Sequence, residues 1–115
     1  MTKSVIITGN KEFDNYELVK SYLDKVINNT DYEIVTGFMS GVERLADIYA
    51  HEKNFFLKTF QSNNIYKSKA LDVRNESMIA YADSAIIFTD GKSAFVNSFI
   101  EMCIGRNFPF TVVGI

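Results

Sequence analysis

Arg74 and Asn75, in the stretch RNESM at 74–78, are suited to hold an anion. A guanidinium is a planar fork that stays charged and meets a phosphate through paired N–H bonds. Tyr66, Lys67 and Lys69 precede it in the longest irregular stretch, Gln61–Lys69, and a loop of that length is a frequent seat of function. Three glycine-bearing turns offer the same chemistry from the backbone. In TGFMSG at 36–41, Gly37 and Gly41 bound a turn that backbone can use to approach a ligand, and Ser40 starts a helix. Free N–H groups and the positive helix end then point at one spot, a ready site for phosphate or carboxylate. Thr8-Gly9-Asn10 and Asp90-Gly91-Lys92-Ser93 are built the same way.

Each of these features also has a purely structural use. Ser40 and Glu43 form an S-x-x-E capping box that needs no ligand, so Glu43 is either a helix cap or a catalytic carboxylate. Asp90-Gly91 is a common turn pair. Arg74 without a ligand is expected to be solvated on its helix face. His51 stands without a partner at ligand spacing and reads as a surface residue, so no metal site is expected. Cys103 lies in an apolar pattern and reads as core. Neither G-x-x-x-x-G-K-[ST] nor G-x-G-x-x-G is present, which removes support for an ordinary NTPase or a dinucleotide dehydrogenase.

The elements that carry these residues alternate. Ser4–Thr8 (SVIIT) reads as a strand buried on both faces. A helix follows, capped by Asp14 or Asn15 and ended by Asn28-Asn29-Thr30, with Leu18, Val19, Tyr22, Leu23, Val26 and Ile27 on its apolar stripe. Ile34-Val35 is the second strand, and its helix runs from Ser40 to about Lys53, where Asn54 breaks it. Phe55–Phe60 is a third strand or a helix tail. A helix over 71–81, with Met78, Ile79 and Ala82 inward, leads to strand Ala85–Phe88. Phe95, Val96, Phe99, Ile100 and Cys103 mark the last helix, and Phe110–Val113 the last strand. This alternation predicts an α/β three-layer Rossmann-like sandwich with a mostly parallel five-stranded sheet in the order 3-2-1-4-5. Ligands of such sheets bind beyond the carboxyl ends of the strands at the switch point, here between the first and fourth strands.

With 115 residues, 47% of them hydrophobic, and one Pro, the chain reads as one globular domain. A net charge of −2 offers no field for nucleic acid, so no nucleic-acid partner is expected. No stretch approaches membrane-spanning length, and the lone Cys103 fits a reducing cytoplasm. Ten Phe and six Tyr are more than so small a domain readily buries, which points to a homodimer through Phe95, Phe99 and Phe108.

TGNKEF at 8–13, TGFMSGVERLAD at 36–47, RNESM at 74–78 and TDGKS at 89–93 occur in the order seen in one family. The chain resembles the SLOG superfamily in its small YspA-like branch, over about Val5 to Val113. That superfamily also holds the lonely-guy, lysine-decarboxylase-like phosphoribohydrolases and the DNA-processing protein of transformation. The resemblance implies a nucleotide-derived ligand in the crevice, met by Thr8, Gly9 and Asn10, by Gly37, Ser40, Gly41 and Glu43, by Tyr66, Arg74 and Asn75, and by Asp90, Gly91, Lys92 and Ser93. No separate cofactor is expected.

Two departures stand out. Phe38 replaces the second glycine of the family's G-G-x-x-G-x-D turn, and Phe95-Val96 replaces its Gly-Thr step. The phosphoribohydrolases place a glutamate just after that step, whereas here Glu101 comes about a turn later. The expected function is binding of a nucleotide or nucleotide-derived small molecule. The alternatives are an N-glycosidase acting on nucleoside monophosphates, with Arg74 and Glu43 or Glu101 catalytic, and a ligand-free module for protein contacts.

Overall fold

The structure, a computed structural model, describes residues 2–27, 31–62 and 64–115; the side chains of Asn64, Tyr66 and Lys67 lie outside that description. The expected helix stop at Asn28-Asn29-Thr30 and the expected ligand contact of Tyr66 therefore fall outside the described residues.

Five strands, β1 (Lys3–Gly9), β2 (Tyr32–Thr36), β3 (Phe56–Thr59), β4 (Ser84–Thr89) and β5 (Phe110–Gly114), form one sheet in the order β3-β2-β1-β4-β5. Every neighbouring pair is parallel, in the expected order. The connecting helices are α1 (Tyr16–Val26), α2 (Val42–Lys53), α3 (Ala70–Tyr81) and α4 (Ala94–Gly105). Among the described residues, no helix is long and apolar enough to cross a membrane.

The β-branched strands work because both faces are covered. Val5 and Ile7 of β1 face one way, and with Ile34 and Phe88 they pack on Val19 and Leu23 of α1 and on Ala46 and Tyr49 of α2. Ile6 faces the other way, and with Val35 and Ile87 it packs on Met78 of α3 and on Val96, Phe99 and Cys103 of α4. Asn15 caps α1, its side-chain oxygen accepting from the Leu18 N–H at 3.2 Å. Asn54 ends α2 in the left-handed conformation that Asn tolerates. Phe56–Thr59 is a strand, which resolves the strand-or-helix alternative.

Three expectations are corrected. The stretch before α3 is not wholly irregular, since Asn64–Lys69 winds into a 3-10 helix that runs into α3. Helix α2 starts at Val42, with Gly41 at the N-cap in a left-handed φ of 74° and no side-chain cap, so the capping box of Ser40 and Glu43 does not form. The patch of Phe95, Phe99 and Phe108 is not an open surface, because Phe99 is buried and the other two are partly buried against the same core.

Candidate functional site

The carboxyl ends of β1, β2 and β4 carry the three glycine-bearing turns, and these turns touch. Asn10 is the joint. Its N–H donates to the Phe88 carbonyl at 3.1 Å, and its carbonyl accepts from the Val42 N–H at the start of α2 at 3.2 Å. Its side-chain oxygen accepts from the Thr89 hydroxyl at 2.9 Å. Ser40 Oγ donates to the Lys11 carbonyl at 2.8 Å, joining the second turn to the first. Gly41 must be glycine twice over, because its φ is positive and a Cβ would sit 2.2 Å from the Asn10 carbonyl oxygen.

Beneath these loops lies a buried ion pair. Arg74 Nη1 is 3.0 Å from Glu43 Oε1, and Nη2 is 3.0 Å from Oε2, a bidentate contact between α3 and α2. Arg74 also donates to the Gly37 carbonyl and, from Nε and Nη2, to Asn75 Oδ1. A guanidinium has five N–H donors, and these contacts account for all of them. Glu43 accepts in addition from the Thr8 hydroxyl at 2.7 Å and from the Gly37 and Met39 N–H groups at 3.0 and 3.3 Å. The expectation of a solvated Arg74 is thus corrected: the residue is 3% exposed, and Glu43 is 1% exposed. The anion seated on the Gly37–Gly41 turn is the chain's own carboxylate. Phe95, at the departure from Gly-Thr, lies under the guanidinium with Arg74 Cζ 5.5 Å from its ring centre, so it packs on the ion pair.

Sequence periodicity carried a signal for this pair that composition hides. Arg74 stands four residues before Met78, Asn75 four before Ile79, and Glu43 three before Ala46, all on the inward stripes of their helices. Charged residues on an inward stripe are rarely buried unless paired, and here they pair with each other.

The second turn bears an unusual backbone. Phe38 has φ 61° and is 63% exposed. It keeps the left-handed geometry that glycine adopts freely, although it carries a large side chain. The N–H groups on either side of it are bonded to Glu43, which imposes this conformation.

A polar cleft of about 250 Å³ opens between the β1 and β4 turns, lined by Asn10, Lys11, Glu12, Asp90, Lys92 and Ser93. Ser93 is the N-cap of α4 and accepts from the Val96 N–H at 3.2 Å, so the positive end of α4 faces the same region. Asp90 is held below the usual carboxylate range, first by the Asn10 side chain and then by the Lys92 N–H, which donates at 2.9 Å. The Gly91 N–H donates to the Thr89 hydroxyl, completing a compact turn. Of the expected site residues, Asn10, Asp90, Lys92 and Ser93 line the cleft. Thr8, Glu43, Arg74 and Asn75 are buried below it. Glu101 is exposed on α4 and does not line it. Lys11 and Glu12 line it too, which the sequence does not indicate, because a polar loop residue gives no sign of which neighbour it faces.

Residues 3–64 match the family model described as YspA, cpYpsA-related SLOG family. The chain belongs to this family. The family match covers the first two turns and stops before Arg74. Among solved structures the chain is similar to DNA processing protein A (DprA) from Streptococcus pneumoniae, with a TM-score of 0.61 and 11% identity over 96% of this chain. The chain spans a little over half, 58%, of that structure, and the likeness is one of fold. A search of curated proteins finds no match. The SLOG assignment and the Rossmann-like fold with this strand order agree with the reading of the sequence.

Proposed function

We propose that this protein binds a nucleotide or nucleotide-derived small molecule, with its sugar and phosphate in the cleft between the β1 and β4 turns. One observation carries this reading: the cleft lies at the topological switch point and holds both signs of charge, Lys11 and Lys92 against Glu12 and Asp90. Ammonium groups and the α4 N-terminus suit phosphate, while carboxylates suit ribose hydroxyls. Membership in a SLOG family supports the same class of ligand. Binding is favoured over base hydrolysis because Arg74 and Glu43 direct their hydrogen bonds to each other and to their neighbours. In this reading their part is to brace the turns and not to touch the ligand.

The reading extends to one domain working in a reducing compartment, where Cys103 stays a buried thiol. It also extends to a homodimer, for which Ile104 and Val112 are exposed apolar candidates in place of Phe99. Calorimetric titration with adenosine, guanosine, cytidine and uridine 5′-monophosphates tests the main claim. At least one should bind, and Lys92→Ala should weaken it about tenfold without changing the melting temperature, since Lys92 is exposed. Failure of all four to bind at millimolar concentration overturns the reading. Release of free base from any of the four by the wild-type protein would favour the glycosidase instead.

A further inference from the structure

The polar cleft is small for a whole nucleotide, since ligand pockets run to about 300–1,000 Å³ and this one holds about 250 Å³. A second cleft of about 270 Å³ adjoins it. The two share Asn10, Glu12 and Asp90 as a common wall. They differ in their remaining lining. The first has Lys11, Lys92 and Ser93; the second has Phe13 and Ile115. Both compartments share the polar wall of Asn10, Glu12 and Asp90; the first adds two ammonium groups, and the second adds an aromatic ring and an aliphatic side chain.

Phe13 is firmly placed. Its N–H donates to the Asn10 carbonyl at 3.4 Å, and its side chain is partly buried against the core shared by α1 and α2. Ile115 is placed by its N–H, which donates to the Thr89 carbonyl at 3.2 Å. The wall between the compartments is tied together as well, through Asn10 to Thr89 and Asp90.

We infer that the pair of clefts is one bipartite site, in which the second compartment takes the planar base of the ligand against Phe13 while the first takes its sugar and phosphate. The inference rests on the proposed nucleotide-binding reading and adds to it the class of group that selects the ligand: a flat heterocycle, read by Phe13 and Ile115. A planar ring against an aromatic face gains from stacking whatever its identity, so the compartment selects for a base over no base more than among bases. Glu12 and Asp90, on the shared wall, are positioned between the two compartments to accept from ribose hydroxyls.

The test compares adenosine 5′-monophosphate with ribose 5-phosphate, which share sugar and phosphate and differ in the base. The wild-type protein should bind the nucleotide about five- to a hundredfold more tightly. Phe13→Leu keeps an apolar side chain but removes the ring, and should bring that ratio to within about threefold while leaving ribose 5-phosphate affinity unchanged. Because the readout is a ratio on one protein, a partial loss of folded material does not mimic it. Should Phe13→Leu not fold, Phe13→Trp supplies a second measurement. The natural chain has no tryptophan, so the new indole is the only one and can be excited at the red edge, where the six tyrosines do not absorb; adenosine 5′-monophosphate should change its emission where ribose 5-phosphate does not. Equal affinity of the wild type for the two compounds, an unchanged ratio in Phe13→Leu, or an indole indifferent to the nucleotide overturns the bipartite site and leaves the proposed function standing. Binding of neither compound, together with silence toward the other nucleoside monophosphates, overturns both.

Discussion

Arg74 and Glu43 lie 31 residues apart in sequence and meet as a bidentate ion pair with side chains 1% and 0% exposed. Removing one partner of such a pair strands the other charge in the interior, which costs about 3–5 kcal/mol. Arg74→Ala should therefore lower the urea midpoint steeply, and Arg74→Lys should recover only part, because an ammonium cannot reproduce the fork. An Arg74→Ala variant as stable as the wild type would show that the pair does not hold the fold.

Gly37 and Gly91 serve different needs, and alanine separates them. At Gly37 a Cβ would stand 2.5 Å from Arg74 Nη1 and 2.6 Å from the Phe60 carbonyl oxygen, so Gly37→Ala should cost about 1–3 kcal/mol by overpacking. At Gly91 nothing lies within 4 Å but φ is +83°, so Gly91→Ala should cost about 1–2 kcal/mol through backbone strain alone. Asn, which visits the left-handed region, should restore most of the loss at 91 and none at 37. Denaturant midpoints of the four variants decide this.

Phe38 carries left-handed strain without compensating burial. Phe38→Asn should raise stability by about 1 kcal/mol, because Asn tolerates that conformation. A fall in stability would mean that the exposed ring packs more tightly in solution than its 63% exposure indicates.

Asp47 has its carboxyl raised above 3.8, chiefly by burial and against the hydroxyl of Thr36, which donates to it at 2.5 Å. A raised carboxyl favours the protonated folded form. Its contribution is therefore full below 3.8 and is lost as pH rises through the folded value. Asp47→Asn removes the charge and keeps an oxygen for Thr36, so it should raise the melting temperature by about 1–4 °C at neutral pH. The gain should shrink toward zero below 3.8. Calorimetric scans at the two pH values check the sign, and an equal gain at both would place its origin outside titration.

The strand order and the helices on both faces were readable from the chain because they follow local periodicity. Ser4–Thr8 and Ala85–Phe88 are β-branched and aromatic runs too apolar for any but central strands, and right-handed crossovers leave few orders for such a sheet. The meeting of the turns after Thr8 and Thr89 followed from that order. What tertiary structure alone decided was the partner of each polar residue. Ser40 and Glu43 fit a capping box in sequence, yet Glu43 turns inward, because Arg74 from a helix distant in sequence offers its buried charge a stronger partner than the end of its own helix. Lys11, Glu12 and Phe13 look like ordinary loop residues until β1 and β4 lie side by side and their turns enclose a cleft. Hydrophobic burial has a period that one strand or helix displays by itself, whereas a hydrogen bond or a cavity wall belongs to two segments and exists only once they are brought together.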